Sequence, residues 1–405
     1  MNQIAERYVK LVLAVGEHDA DYVDAYYGPE DWRNEVQASK KTLPVIETEA
    51  SFLLSKLGKV DTSLAEEPIQ LRKQYLTKQL QSLIARVEIL RGKKLSFDDE
   101  AKQLYDADPP HQSEQQFDEI LRKIDIMIEG KGTLIQRYEG YRMKFIIPIE
   151  KLDKVFSAAI AECRARTKKY IELPSVESFK VEYVKNKSWS GYNWYKGNSY
   201  SIIQVNTDLP IYIDRAVDLA AHEGYPGHHV YNALLEETMV KNRKWVEFSV
   251  YPLFSPQSLI AEGTANFGIE VAFPGKERLE YERQVLFPMA GLDPSSAEQY
   301  YKLFSLVSKL SFAGNETARR YLNGLCSKEE AVSWLMSYTL MPRERAEQRV
   351  RFFEQYRSYV INYNLGLDLV RHYIERRGGT ADKPAKRWEE FKNLLTSPRL
   401  PSGLM

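Results

Sequence analysis

Leu76, Leu80, Leu83, Val87 and Leu90 recur at alternating steps of four and three residues, a spacing that puts all five on one stripe of a helix. The same period runs through the first 170 residues. Ser113 followed three residues later by Gln116 is a capping-box start, and Phe117, Ile120, Leu121, Ile124 and Met127 carry an apolar face from it towards Gly130. Pro148 opens another helix, with Leu152, Val155, Phe156, Ala159, Ile160 and Cys163 inward. An apolar helical stripe must be buried against another element, so the chain is committed to a mainly helical, layered core. These stripes are packing surfaces and carry no chemistry.

From about residue 174 the texture changes. Phe179 to Val184 and Tyr200 to Val205 read as short strands. Ser188 to Asn198 between them, rich in aromatics and turn residues, reads as a hairpin connection, either plain packing or the mouth of a substrate site. After Pro210 helices return, over roughly 212–240, 256–272, 276–287, 294–321, 328–338 and 343–377, with a short last one from Lys386 to Leu395. Ser327 with Glu330 is a second capping box. A chain of 405 residues buries a large core, and the change of texture divides a helical N-terminal lobe, 1–170, from a second lobe, 171–405, around a cleft.

Lys plus Arg equals Asp plus Glu, 56 against 56, which argues against nucleic acid as a partner. The two cysteines, Cys163 and Cys326, read as free thiols in a reducing compartment. No apolar run approaches the roughly 20 residues of a membrane span. Leu11 to Val15 is too short for a signal peptide's apolar core. A cytoplasmic protein without a membrane partner is expected.

The chemistry is concentrated in His222-Glu223-Gly224-Tyr225-Pro226-Gly227-His228-His229. Three of the six histidines fall here beside a glutamate, and imidazole is the commonest protein ligand for zinc. In zinc-peptidase helices two histidines four apart share a face, and the Glu after the first acts as general base. Here the spacing is six or seven. On an unbroken helix His228 would point away from His222, and His229 would sit roughly 10 Å further along the axis, too far for one ion. Pro226 has no N–H to return to the His222 carbonyl, so the helix must open, and Gly227 lets the backbone re-aim. A two-residue bulge then brings His228 to the metal, with His229 as the alternative ligand or a group supporting the ligands. Zinc takes a third protein ligand, and Glu262, a carboxylate in the apolar company of Leu259 to Gly268, is the candidate, with Glu270 the alternative. Asn266, one turn on from Glu262, is placed to accept a hydrogen bond from a ligand imidazole.

Residues 222–229 resemble the His-Glu-x-x-Pro-Gly-His-His signature of the bacterial family catalogued as domain of unknown function 885. Three shorter echoes occur in the expected order. Ile203-Gln204-Val205-Asn206-Thr207 looks like the strand ending in Asn-Thr before the motif. Ala261-Glu262-Gly263 resembles the family's Glu-Gly-Trp segment, with Thr264 where Trp is usual, and Tyr363-Asn364-Leu365-Gly366 matches its late Tyr-x-x-Gly. The resemblance implies a multi-helix, zinc-peptidase-like fold with a small β-sheet near the active-site helix, and makes 171–405 the catalytic lobe. It implies Zn²⁺ on His222, His228 and Glu262, and Glu223 as base. The sequence also departs from the pattern: Arg357-Ser358-Tyr359-Val360 stands where Pro-Gly-Gln-Ala is common, and the Asp and His expected around Ala313-Gly314-Asn315 are missing.

A zinc metallopeptidase-like hydrolase is therefore expected, in which a Glu223-activated zinc water attacks a peptide or other amide carbonyl. The hydroxyl of Tyr363, or else of Tyr359, would stabilise the oxyanion. Strand 200–206 would pair with an extended substrate, and Asn206 at its end would contact it. Two other classes compete. A non-haem iron enzyme takes the same donor set. A catalytically altered relative that binds metal or peptide without turnover is favoured by the departures at 313–317 and 357–360.

Overall fold

The stripe from Leu76 lies in the helix Glu67–Leu90, where Leu76, Leu80, Leu83 and Val87 are fully buried and Leu90 half-buried. The computed structural model describes residues 1–405 and is mainly helical, with two small sheets. The capping boxes at Ser113 and Ser327 start the helices Glu114–Met127 and Lys328–Thr339, where side chains answer N–H groups the first turn leaves unpaired. Pro148 precedes the helix Ile149–Lys168. No helix is long and apolar enough to cross a membrane.

Two expected long helices are divided. Residues 294–321 hold the separate helices Ala297–Ser308 and Ser311–Leu322. Residues 343–377 hold Arg343–Tyr356 and Ile361–Arg376, joined by a short 3₁₀ turn in which Arg357 has a φ of 53°. The cause of this second break is a carboxylate from far away in the chain. Buried Glu100 accepts from the Ser358 N–H (3.1 Å), the Ser358 Oγ (2.6 Å) and the Arg357 Nε (2.5 Å), which unwinds the helix locally.

Five strands occur: β1 (Val23–Tyr26), β2 (Ser178–Val184), β3 (Gly191–Tyr195), β4 (Tyr200–Asn206) and β5 (Val250–Pro252). β1 pairs antiparallel with β5. The other three form a mixed sheet in the order β2-β4-β3, parallel between β2 and β4 and antiparallel between β4 and β3. Two expectations are corrected here. The aromatic segment read as a connection is itself a strand, and the actual turn follows it, where Gly197, Asn198 and Ser199 all have positive φ. β4 is the central strand, with both edges already paired, so it has no free edge for a substrate backbone.

The main apolar cluster runs from Ile4 to Leu404 and does not divide at residue 170. The β1–β5 pairing and the buried Arg72–Glu247 ion pair (2.5 Å) bind the N-terminal helices to the middle of the chain. The helices Pro256–Ala272 and Ile361–Arg376 touch backbone to backbone. A Cβ on Gly263 would lie 2.5 Å from the Gly366 carbonyl oxygen, and one on Gly366 would lie 2.8 Å from that of Leu259. The Glu-Gly and Tyr-x-x-Gly echoes, distant in sequence, thus form one contact that sets Glu262 opposite the late tyrosines. Gly263→Ala is expected to cost about 1–3 kcal/mol, the usual penalty of overpacking. Urea unfolding would show a lowered midpoint, whereas an unshifted one would mean the helices part freely.

Candidate metal centre

The helix entering the motif, Asp214–Leu219, widens into a π turn over Ala220–Gly224 and stops, and a new helix begins at His228–Leu235. The backbone hydrogen bonds record the change. The Tyr225 N–H reaches Ala220 O (3.0 Å) and the Gly227 N–H reaches Ala221 O (2.8 Å), five and six residues back instead of four. Pro226 between them has no N–H to give. Two extra residues are thus accommodated between the histidines, and His228 swings to the side of His222. Only glycine fits at 227, because a Cβ there would lie 1.9 Å from the His222 carbonyl oxygen.

His222, His228 and Glu262 meet at this break, the only such group of metal-ligating side chains in the protein. The two Nε2 atoms are 3.1 Å apart, and Glu262 Oε2 lies 3.3 Å from His222 Nε2 and 3.8 Å from His228 Nε2. The His222 Nδ1–H donates to Asn266 Oδ1 (3.0 Å), which turns Nε2 into the site, and Asn266 Nδ2 is itself held on the Tyr363 carbonyl (2.9 Å). Tyr359 OH donates to Glu262 Oε1 (2.8 Å), leaving Oε2 buried with no hydrogen-bond partner.

This donor set fits a divalent cation. Two imidazole nitrogens at 3.1 Å need a proton or a cation between their lone pairs, and a buried carboxylate oxygen without a hydrogen-bond partner favours a cation. Without a cation a proton takes that role. Burial works against charging His222, yet Glu262 and Glu223 raise its pKa to about 9. Burial pushes His228 down to about 4, and it stays neutral as the acceptor. Burial opposes ionisation of Glu262 as well, but the two imidazoles hold its pKa below the ordinary carboxylate value.

Glu223 is buried, and burial raises its carboxyl to about 7. β3 crosses directly over it: a Cβ on Gly191 would sit 3.0 Å from Glu223 Oε1, and Asn193 Nδ2 donates to the Glu223 carbonyl (2.6 Å). Tyr363 packs its ring on Tyr359 (5.8 Å), and its hydroxyl feels the charges of Glu262, Arg349 and Glu223.

Other candidates lie elsewhere. His229 is fully buried with both ring nitrogens engaged, by Ser201 Oγ (2.8 Å) and Glu177 Oε2 (3.3 Å), and is not part of the His222, His228 and Glu262 group. Glu270 pairs with Arg371 and Arg387. Asn206 is not brought to the site: its amide donates to Lys187 O (3.0 Å) and Trp189 O (2.9 Å), so it shapes the loop before β3. Asp24 escaped the sequence reading. It sits at the irregularity in β1, accepts from Tyr192 OH, and burial with the nearby charge of Glu262 raises it to about 7. Its only sequence signal is a lone carboxylate among the apolar and aromatic residues of 22–27.

Fold and site together define a mainly helical protein with a two-histidine, one-glutamate group at a helix break. No family model and no curated protein matches the chain. Among solved structures, a candidate lipoprotein from Colwellia psychrerythraea is similar at 18% identity and a TM-score of 0.54, over 90% of this chain and 68% of that one. A crystal structure named BsuCP is similar at 12% identity and a TM-score of 0.51, over 97% of this chain and 87% of that one. At these identities the likeness is one of fold.

Proposed function

We propose that the chain is a zinc-dependent hydrolase acting on peptides, a member of the family whose signature residues 222–229 resemble, with a zinc-peptidase-like fold whose two lobes share one apolar core and meet at a cleft holding the metal centre. The observation that carries this reading is the convergence of His222, His228 and Glu262, with Glu262 Oε2 unpartnered and the Glu223 carboxyl buried alongside. Two imidazoles and one carboxylate suit Zn²⁺, which when bound supplies a Lewis acid and a water that ionises near neutrality. Glu223, with its carboxyl raised to about 7, is matched to taking a proton from the attacking water at neutral pH. Tyr359 is engaged by Glu262, so Tyr363 is the tyrosine left to donate to a developing oxyanion, and Tyr359 positions the ligand. The edge strand β3, passing over Glu223, replaces β4 as the strand that aligns an extended substrate.

Incubation with a mixed peptide library, with and without chelator, tests the reading. Cleavage that the chelator stops and zinc restores is expected. Full zinc occupancy with no peptide cleaved would replace hydrolysis by metal or peptide binding alone.

A further inference from the structure

The helix Arg343–Tyr356 carries two arginines one turn apart, Arg345 and Arg349, that the proposed chemistry does not use. Like charges at this spacing repel and weaken a helix unless an anion offsets them. Arg343, on the same helix, is paired with Glu329 (2.5 Å) and Glu347 (3.4 Å). Arg345 makes no ion pair: it donates to the Pro210 carbonyl at 3.3 Å and lies 6.0 Å from the Tyr212 ring, and the nearby charges of Arg142 and Arg215 oppose that of Asp214. Arg349 has no charged partner: its half-buried guanidinium lies against the rings of Phe352 (4.9 Å), Phe353 (5.5 Å) and Tyr363 (5.9 Å). Burial draws both guanidinium pKa values down from the arginine norm, the opposite of what an ion pair does.

Position gives these charges a meaning. Arg349 lies 5.9 Å from the Tyr363 ring, and Tyr363 in turn packs at 5.8 Å on Tyr359, the tyrosine that holds Glu262. Gln348, between the arginines, reaches Lys187 O and Ser188 O (both 3.4 Å) on the loop that leads into β3. Arg215 joins the same loop through Ser190 Oγ (3.2 Å), and its charge reaches His222 and Glu223. Because Arg349 touches Tyr363 and its neighbour Gln348 touches the loop into β3, a substrate lying along β3 with its carbonyl at Tyr363 ends beside the Arg349 guanidinium, which has no acidic partner. Guanidinium binds carboxylate in a two-point fork better than any other common side-chain pairing.

We propose that Arg349, backed by Arg345, binds a carboxylate of the substrate, so that cleavage takes place beside a free C-terminus or an acidic side chain. The inference rests on the peptidase reading of the metal centre and deepens it. The probes are N-acetylated tetra-alanine as free acid, as C-terminal amide, and as an amide ending in glutamate, tested on the zinc-loaded full chain.

One of the two carboxylate-bearing peptides is expected to exceed the plain amide in kcat/KM by about 100-fold, the size of loss seen when a desolvated charge is left unpaired. The better of the two identifies the source of the carboxylate. Arg349→Met should erase most of that ratio, chiefly through KM, and Arg349→Lys should keep part of it, while Arg343→Met leaves the ratio at its wild-type value. Equal cleavage of all three peptides, or an equal loss on all three in Arg349→Met, overturns the anchor while the peptidase reading stands. If none is cleaved, calorimetric titration with the same peptides decides. Tighter binding of a carboxylate-bearing peptide, lost in Arg349→Met, upholds the anchor without hydrolysis, and equal or absent binding overturns it.

Discussion

Glu223→Gln is expected to retain zinc at the wild-type stoichiometry and to lose peptide turnover by about 10²- to 10⁴-fold, the contribution of a positioned general base. The substitution preserves the shape of a buried side chain that is not one of the proposed ligands, so His222, His228 and Glu262 should remain as they are. What it removes is the lone pair that accepts a proton, because an amide is not basic near neutral pH. Burial already biases this carboxyl towards its neutral form, so a neutral amide suits the same surroundings. Metal analysis and kcat/KM on the same preparation check both halves of the expectation. A variant as active as wild type would remove Glu223 from the mechanism.

His222→Ala is expected to lose the ion altogether. It deletes one of three donors and leaves Asn266 Oδ1 without its imidazole N–H. The sharpest readout is thermal unfolding with and without added zinc. Wild type should gain stability by mass action, about 2.7 kcal/mol at a hundred times the dissociation constant, and the variant should not respond. His229→Ala is the contrast, because that ring is held by Ser201 and Glu177 and should not be needed for zinc. Full zinc occupancy in His222→Ala would exclude His222 as a ligand.

The helical class and the centre of the site were legible because both rest on local rules. Apolar spacing reports a helix face wherever it occurs, and a proline four residues after His222 must open its helix whatever surrounds it. Glu262 and Asn266 were found one turn apart because a buried carboxylate and a ligand imidazole each need a partner. The preference for His228 over His229 rested on an assumed two-residue bulge, since adjacent residues differ by about 100° and only the course of the bulge decides which one faces His222. Non-local events were hidden as well. The break at Arg357 depends on Glu100, 257 residues away, and Asp24 meets Tyr192 across 168 residues. β1 and β5 are too short, at four and three residues, for alternation to announce them. β3 was hidden by its own composition, because Gly191, Tyr192, Asn193 and Trp194 resemble turn and packing residues until β4 lies beside them.

Anomalous diffraction at the zinc edge, from crystals of protein purified without added metal, tests the central claim most directly. The expected result is a single strong peak bounded by His222 Nε2, His228 Nε2 and the Glu262 carboxylate. Crystals with no anomalous peak between those side chains, or with the zinc held by other residues, would contradict it.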